Sequence, residues 1–185
     1  MPQSEIQIRP YQRSDPIPQL TAMLHRAYGP LAKQGMRYLA SHQDDAMTRL
    51  RLTERGAQAL VALHNTRIVG TITLCQPNPD SNTAWYTRPD VRSFEQFAVD
   101  PDFQSTGIGS QLLEAVESTA RSQGANELAC DTSEHATKLI ALYQRRGYRR
   151  VGHADWDVTN YKSIVLSRNL TTTPSPPPAS PGATA

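Results

Sequence analysis

The sequence predicts a single α/β domain in which helices pack on a mixed sheet with parallel members. Three observations carry the prediction. From Ser93 onward β-rich and helical runs alternate. Before that point, two β-rich runs lie close enough to form an antiparallel hairpin. The chain has 185 residues, of which 38% are hydrophobic and 19% charged, enough for one sizeable core.

The first β-rich run, 6–9, gives way to Asp15-Pro16, read as an N-cap and first helical position. Ile17, Leu20, Leu24 and Ala27 recur at helical spacing, and Gly29-Pro30 predicts the end of that helix. A second helix fits 44–55: Asp44 or Asp45 stands near its start, Met47 and Leu50 face inward, and Gly56 stops it. Residues 59–63 and 68–74 form the hairpin, joined by His64-Asn65-Thr66-Arg67, and 76–90, with three prolines and no period, is a surface loop. There follow a strand at 93–99, a helix at 107–122, a strand at 127–131, a helix at 134–146 and a strand at 148–153. A last strand, 161–166, comes after a loop around Trp156. The domain is expected to span 1–170. The tail 171–185 holds five prolines in fifteen residues and no large apolar side chain, so it is expected to be a disordered Pro/Ser/Thr-rich extension.

A formal charge of +2 supplies no broad field for gripping nucleic acid, and no nucleic-acid partner is expected. Residues 1–9 lack the apolar run of a signal peptide. No stretch approaches the roughly 18 apolar residues that cross a bilayer, so a cytoplasmic protein without a membrane partner is expected. Cys75 and Cys130 have no metal-ligand spacing around them; two reduced core thiols, and no metal, are expected.

The segment Gln104-Ser105-Thr106-Gly107-Ile108-Gly109-Ser110 lies directly after a strand and before an amphipathic helix with Ile108, Leu112, Leu113 and Val116 inward. Glycines there let the backbone approach a bulky anion, and the free N–H groups of a helix start bind phosphate oxygens. The turn is not a nucleoside-triphosphate loop, because Gly109 is followed by Ser110-Gln111 with no lysine. It is a poor dinucleotide fingerprint, because Leu112 stands where the third glycine belongs.

The run Phe97-Ala98-Val99-Asp100-Pro101-Asp102-Phe103-Gln104-Ser105-Thr106-Gly107-Ile108-Gly109, followed by Leu112-Leu113, resembles the GNAT superfamily of N-acetyltransferases. That superfamily's signature is Gln/Arg-x-x-Gly-x-Gly/Ala after a strand ending Ala-Val-Asp-Pro. A second block, Ala141-Leu142-Tyr143-Gln144-Arg145-Arg146-Gly147-Tyr148, looks like the family's Leu-Tyr-x-x-x-Gly-Phe at the expected distance. The resemblance covers 93–153 and implies a mixed, centrally splayed β-sheet flanked by helices, parting between 93–99 and 127–131. It further implies that the backbone around Phe97 and Val99 pairs with the pantetheine of acetyl-CoA. The N–H groups of Gln104, Ser105, Thr106, Gly107, Ile108, Gly109 and Ser110 would then hold its pyrophosphate. Ser105 and Thr106 stand where Arg, Lys or Gly is frequent, which leaves phosphate binding to the backbone. The basic set Lys138, Arg145, Arg146, Arg149 and Arg150 reads as a solvated face, with added charge near acetyl-CoA as the other reading.

Acetyl transfer needs a neutral amine, a polarised thioester and a proton for the departing thiolate. The resemblance places Tyr143 at the sulfur, where a phenol with an ordinary pKa near 10 stays protonated; the alternative is a core aromatic. Carboxylates near the splay are the candidate bases. Glu95 shares strand parity with Ser93 and Phe97, and Asp131 ends the neighbouring strand; the alternatives are a half-exposed strand residue and a cap for a helix starting near Ser133. Where the family often has Asn to touch pantetheine, this chain has Ala136 beside His135. Tyr28, Tyr38, His42, Trp156, Asn160 and Tyr161 are candidates to line the acceptor cleft. The expected activity is acetyl-CoA-dependent acetylation of a primary amine on a small molecule or peptide, by direct transfer in a ternary complex. A non-catalytic CoA-binding sensor or scaffold is the alternative, and a homodimer is left open.

Overall fold

The computed structural model describes residues 6–171. Among them seven strands and four α-helices follow in the order β1 (Ile6–Pro10), α1 (Ile17–Lys33), α2 (Asp45–Thr53), β2 (Gln58–His64), β3 (Arg67–Cys75), β4 (Val91–Val99), α3 (Ile108–Ser122), β5 (Glu127–Ser133), α4 (Thr137–Arg145), β6 (Arg149–Ala154) and β7 (Ser163–Asn169). Tail residues 172–185 lie outside the described residues, and Leu170 is buried in the core.

Local chemistry explains most boundaries and corrects a few readings. Asp15 does not cap α1; Arg9 takes its carboxylate at 2.6 and 2.8 Å, and it accepts from the Gln12 amide. Gly29-Pro30 does not end α1, which continues to Lys33. A proline's fixed φ suits a helix, and exposed Pro30 sits in the last turns, where water can satisfy the carbonyl that loses its N–H partner. The chain leaves the helix at Gly35, φ +85°. Asp44 caps α2 by accepting from the Met47 amide at 2.7 Å. Its inward residues are Thr48 and Leu52, whereas Met47 is half-buried and Leu50 exposed. Thr48 takes the inward place because its hydroxyl meets Thr21 of α1 and Gln43. α4 begins at Thr137, three residues later than the apolar spacing suggests.

The sheet order is β1-β2-β3-β4-β5-β7-β6. Among the described residues only the central pair, β4 and β5, is parallel, and its register covers just Val91↔Glu127, Arg92↔Leu128 and Ser93↔Ala129. On one face α3 and α4 bury Leu112, Leu113, Val116 and Tyr143 against Val69, Ile72, Leu74, Phe94 and Leu128. On the other, α1 and α2 bury Leu20, Met23, Leu24 and Leu52 against Val61, Ile68 and Ala98. The two cores hold the sheet from both sides, and the site lies where its two centre strands part.

Candidate active site

Beyond Ser93 and Ala129, β4 and β5 share no register, so the sheet is open at its centre. β4 is bent by a bulge at the same place. Its register with β3 passes from Thr73↔Glu95 to Thr71↔Ala98, so Gln96 and Phe97 together oppose Ile72, and Gln96 has φ +49°. The bulge overturns the expected parity of Glu95 with Phe97. Phe97 packs on the α3 side, 6.1 Å from the Phe94 ring, while Glu95 turns toward α2.

β4 runs into the glycine turn through Asp100, a wholly buried carboxylate. It accepts from Arg26 at 2.6 Å, from Arg67 at 2.8 Å and from the Asp102 amide at 3.2 Å, tying the turn to α1 and β3. These donors hold its pKa below the usual carboxylate value, although burial works in the other direction. Next come Ser105 with φ +64° and Gly107 with φ +90°, the N-cap of α3. Such left-handed residues at a helix start turn successive N–H groups into a concavity suited to an anion. The amides of Ile108, Gly109 and Ser110 open the helix and have no carbonyl a turn behind them within it. A Cβ on Gly109 would stand 3.4 Å from the Phe97 ring, an ordinary contact, so α3 starts directly against β4. Gln104, Ser105 and Thr106 are exposed; Gln104 Nε2 donates to the Val99 carbonyl at 3.2 Å, and the Tyr28 hydroxyl donates to the Phe97 carbonyl at 2.9 Å. The turn and the open strand edge therefore fit a pyrophosphate-bearing acyl carrier, through main-chain donors.

A cleft of about 230 Å³ occupies the opening and reaches both Tyr143 and Asp131. Tyr143 is buried in α4, its ring 5.8 Å from Phe94 and 5.6 Å from Tyr148. Burial pushes its phenol well up, so it holds its proton at neutral pH. Cys130 lies in the same core cluster as that ring. Burial also pushes the Cys130 and Cys75 thiols well up, which suppresses the thiolate a nucleophile needs.

The two candidate carboxylates have different surroundings. Glu95 is held by Arg51, Nε at 3.1 Å and Nη2 at 2.9 Å, and Arg51 also donates to Gln43 at 2.7 Å. Asp131 meets two neutral donors, the Tyr86 hydroxyl at 2.9 Å and the Trp156 indole at 2.8 Å. Burial raises its pKa from the usual value, against the pull of those bonds. Asp131 does not cap a helix, because α4 starts too far along the chain.

Of the residues expected around the acceptor, Tyr28, Tyr38, Trp156 and Tyr161 line the cleft, while His42 is exposed and Asn160 bonds to the loop after α1. Three participants escaped the sequence reading: Arg51, Tyr86 and Gln43. Tyr86 lies in a short 3-10 turn, Ala84–Thr87, within what reads as a featureless surface loop. Periodicity carries no signal for such a residue; only its contact with Asp131 reveals it. Of the basic set, Arg149 pairs with Glu127 at 2.8 Å and Arg146 lies 3.9 Å from Glu114 and Glu117, while Lys138, Arg145 and Arg150 are exposed. Among the described residues no group of three or more His, Cys, Asp or Glu side chains is arranged to hold a metal ion, and no helix is long and apolar enough to cross a membrane.

The family model for the acetyltransferase (GNAT) family matches residues 18–148. The chain is 32% identical over 160 residues to the S-(2-succino)cysteine N-acetyltransferase of Bacillus subtilis, an alignment covering 82% of this chain and 92% of that protein. In fold it is similar to an acetyltransferase from Streptococcus agalactiae, with a TM-score of 0.68 and 19% identity over 89% of this chain and 98% of the other. It is also similar to a GNAT family acetyltransferase from Elizabethkingia anophelis crystallised with acetyl-CoA bound, with a TM-score of 0.61 and 21% identity over 90% and 99% of the two chains.

Proposed function

Since this chain belongs to the GNAT acetyltransferase family and is an acyltransferase, we propose that it moves an acetyl group from acetyl-CoA to the primary amine of a small molecule or peptide, directly and within one ternary complex. The supporting observation is the continuity of the opening between β4 and β5. It leads from the free amides at the start of α3 to a cleft holding a protonated phenol and a half-buried carboxylate. The amides from Ser105 to Ser110 hold the pyrophosphate, that of Gln104 being turned to the Pro101 carbonyl at 3.4 Å, and the β4 edge at Phe97 and Val99 guides the pantetheine arm.

Acetyl-CoA supplies a thioester carbonyl and a thiol leaving group. Asp131 takes one proton from the acceptor's ammonium, which frees the nitrogen lone pair for the carbonyl carbon. A raised pKa suits that task, because a more basic carboxylate accepts the proton more readily. As the carbon–nitrogen bond forms and the carbon–sulfur bond breaks, Tyr143 gives its proton to the sulfur. The second proton shed by nitrogen restores the phenol through water, so the balance is amide, free thiol and one released proton. Glu95, already paired with Arg51, shapes the field around Asp131 rather than moving the proton.

A continuous assay of free thiol release tests the proposal, with acetyl-CoA and a panel of amines, amino acids including S-(2-succino)cysteine, and short peptides. Asp131→Asn is expected to lower kcat/KM about a hundredfold or more, and Glu95→Gln by much less. Equal losses in both would remove the assignment of roles. Cofactor binding with no turnover on any amine would favour the sensor reading instead.

A further inference from the structure

We infer that the acceptor is a small free amine enclosed beneath a latched roof, and that a polypeptide chain is excluded; this deepens the transferase reading above and rests on it. The roof is the segment between β6 and β7, residues 155–162, together with the stretch after α1.

Asn160 joins the two. Its Nδ2 donates to the Gly35 carbonyl at 2.8 Å, and its Oδ1 accepts from the Arg37 amide at 2.9 Å. One side-chain amide thus satisfies two main-chain groups of the opposite loop. Beside the latch the Tyr161 ring lies 4.9 Å from Tyr38, which lies 5.3 Å from Tyr28 on α1. Tyr38 is itself anchored to β5: its hydroxyl pairs with Thr132 Oγ1 at 2.8 Å and accepts from the Ser133 amide at 3.1 Å. At its other end the roof is pinned by Trp156 to Asp131. The segment is therefore attached to α1, to β5 and to the loop after α1.

Volume points the same way. The cleft of about 230 Å³ lies below the range of about 300 to 1,000 Å³ typical of pockets for drug-sized ligands. That space is shared, since Phe97, Leu139 and Tyr143 line one end and Tyr38, Val158 and Tyr161 the other. With a thioester at the Tyr143 end, room remains for a compact amine. A peptide adds about 3.3 Å of chain per residue beyond its amino terminus, and the Asn160 latch ties together the two loops, 38–40 and 156–161, that line the acceptor end and would have to part for it. Charge selects the head group: Arg51 is paired with Glu95, which leaves Asp131, held by neutral donors, to receive one ammonium.

The experiment pairs each free amino acid of the panel, S-(2-succino)cysteine included, with a five-residue peptide beginning with the same residue, where one can be made. Thiol release is followed in wild type, Asn160→Ala and Asn160→Asp. Hydrogen exchange of the Arg37 amide is read in parallel. Wild type is expected to use free acceptors at least about tenfold better in kcat/KM than their peptides. Asn160→Ala is expected to narrow that ratio and to speed Arg37 exchange. Asn160→Asp, which keeps the acceptor for Arg37, is expected to retain the Arg37 protection. Peptides used by wild type as well as their free counterparts would overturn the inference while leaving the transferase reading intact. An unchanged ratio in Asn160→Ala despite faster Arg37 exchange would overturn the role of the latch. No turnover on either class would overturn the transferase reading, and this inference with it.

Discussion

Trp156 donates its indole N–H to Oδ2 of Asp131 at 2.8 Å, joining the loop after β6 to the carboxylate on β5 where the sheet opens. Tyr86, from the loop before β4, donates to the other oxygen and lies near-parallel to the indole, with centroids 6.4 Å apart. The carboxylate is oriented from both sides by loops, with a strand as its base.

Both bonds favour the charged form of Asp131, and burial opposes them. Removing either donor should raise its pKa further. A hydrogen bond to a charged group is worth about 1.5–3 kcal/mol, against about 1.4 kcal/mol per pH unit, so the acid limb of kcat/KM should move up by about one to two units in Tyr86→Phe. The other charged and titratable groups lining the cleft with it, Glu95, Arg51, Cys130, Tyr28, Tyr38, Tyr143 and Tyr161, are unchanged in that variant. A pH–rate profile decides; lower activity with an unmoved limb would make Tyr86 a packing residue only.

Tyr143→Phe keeps a ring among Phe94, Phe97 and Tyr148 and removes only the hydroxyl. Turnover is expected to fall about a hundredfold or more while the acetyl-CoA Kd stays within about threefold. Titration calorimetry beside steady-state kinetics separates the two. Trapping of an acetylated Cys130 would redirect the chemistry to a two-step route.

Asp100 stabilises the glycine turn. Its folded pKa is depressed, so its contribution is present above the unfolded value and is lost as pH falls through the lower folded one, below about pH 4. Asp100→Asn is expected to cost about 1–3 kcal/mol at neutral pH and to flatten the stability loss on acidification. The half-exposed Arg26 and Arg67 return to water when released, which keeps the cost within that range. Urea unfolding of both proteins across pH 3–7 provides the measurement.

Gly107 has φ +90° and no atom closer than 4.0 Å to the place of a Cβ. Gly107→Ala should therefore destabilise through conformation alone, by about 1–2 kcal/mol. Gly107→Trp adds bulk at the mouth of the turn and should weaken acetyl-CoA binding as well. Equal acetyl-CoA affinity in wild type and Gly107→Trp, measured by calorimetry, would place the pyrophosphate elsewhere.

Sequence alone determined the order of the elements, the hairpin at Asn65-Thr66, the turn from Gln104 to Ser110, and the family, because each is written in local spacing: apolar periods, glycines at a helix start, and two blocks at a set distance. It also brought forward Tyr143, Glu95 and Asp131. Tertiary structure decided what those residues touch. The bulge at Gln96 carried Phe97 to the face opposite Glu95, since one extra residue shifts every later side chain in a strand. Pro30 stayed inside α1 because Pro30 and Arg26, whose carbonyl loses its N–H partner, are exposed residues within water's reach, a fact of burial rather than of propensity. Arg51, Tyr86, Trp156 and Asn160 meet their partners across 44, 45, 25 and 125 positions of chain. Side-chain hydrogen bonds over such separations leave no period in a sequence, because the fold alone brings their ends together.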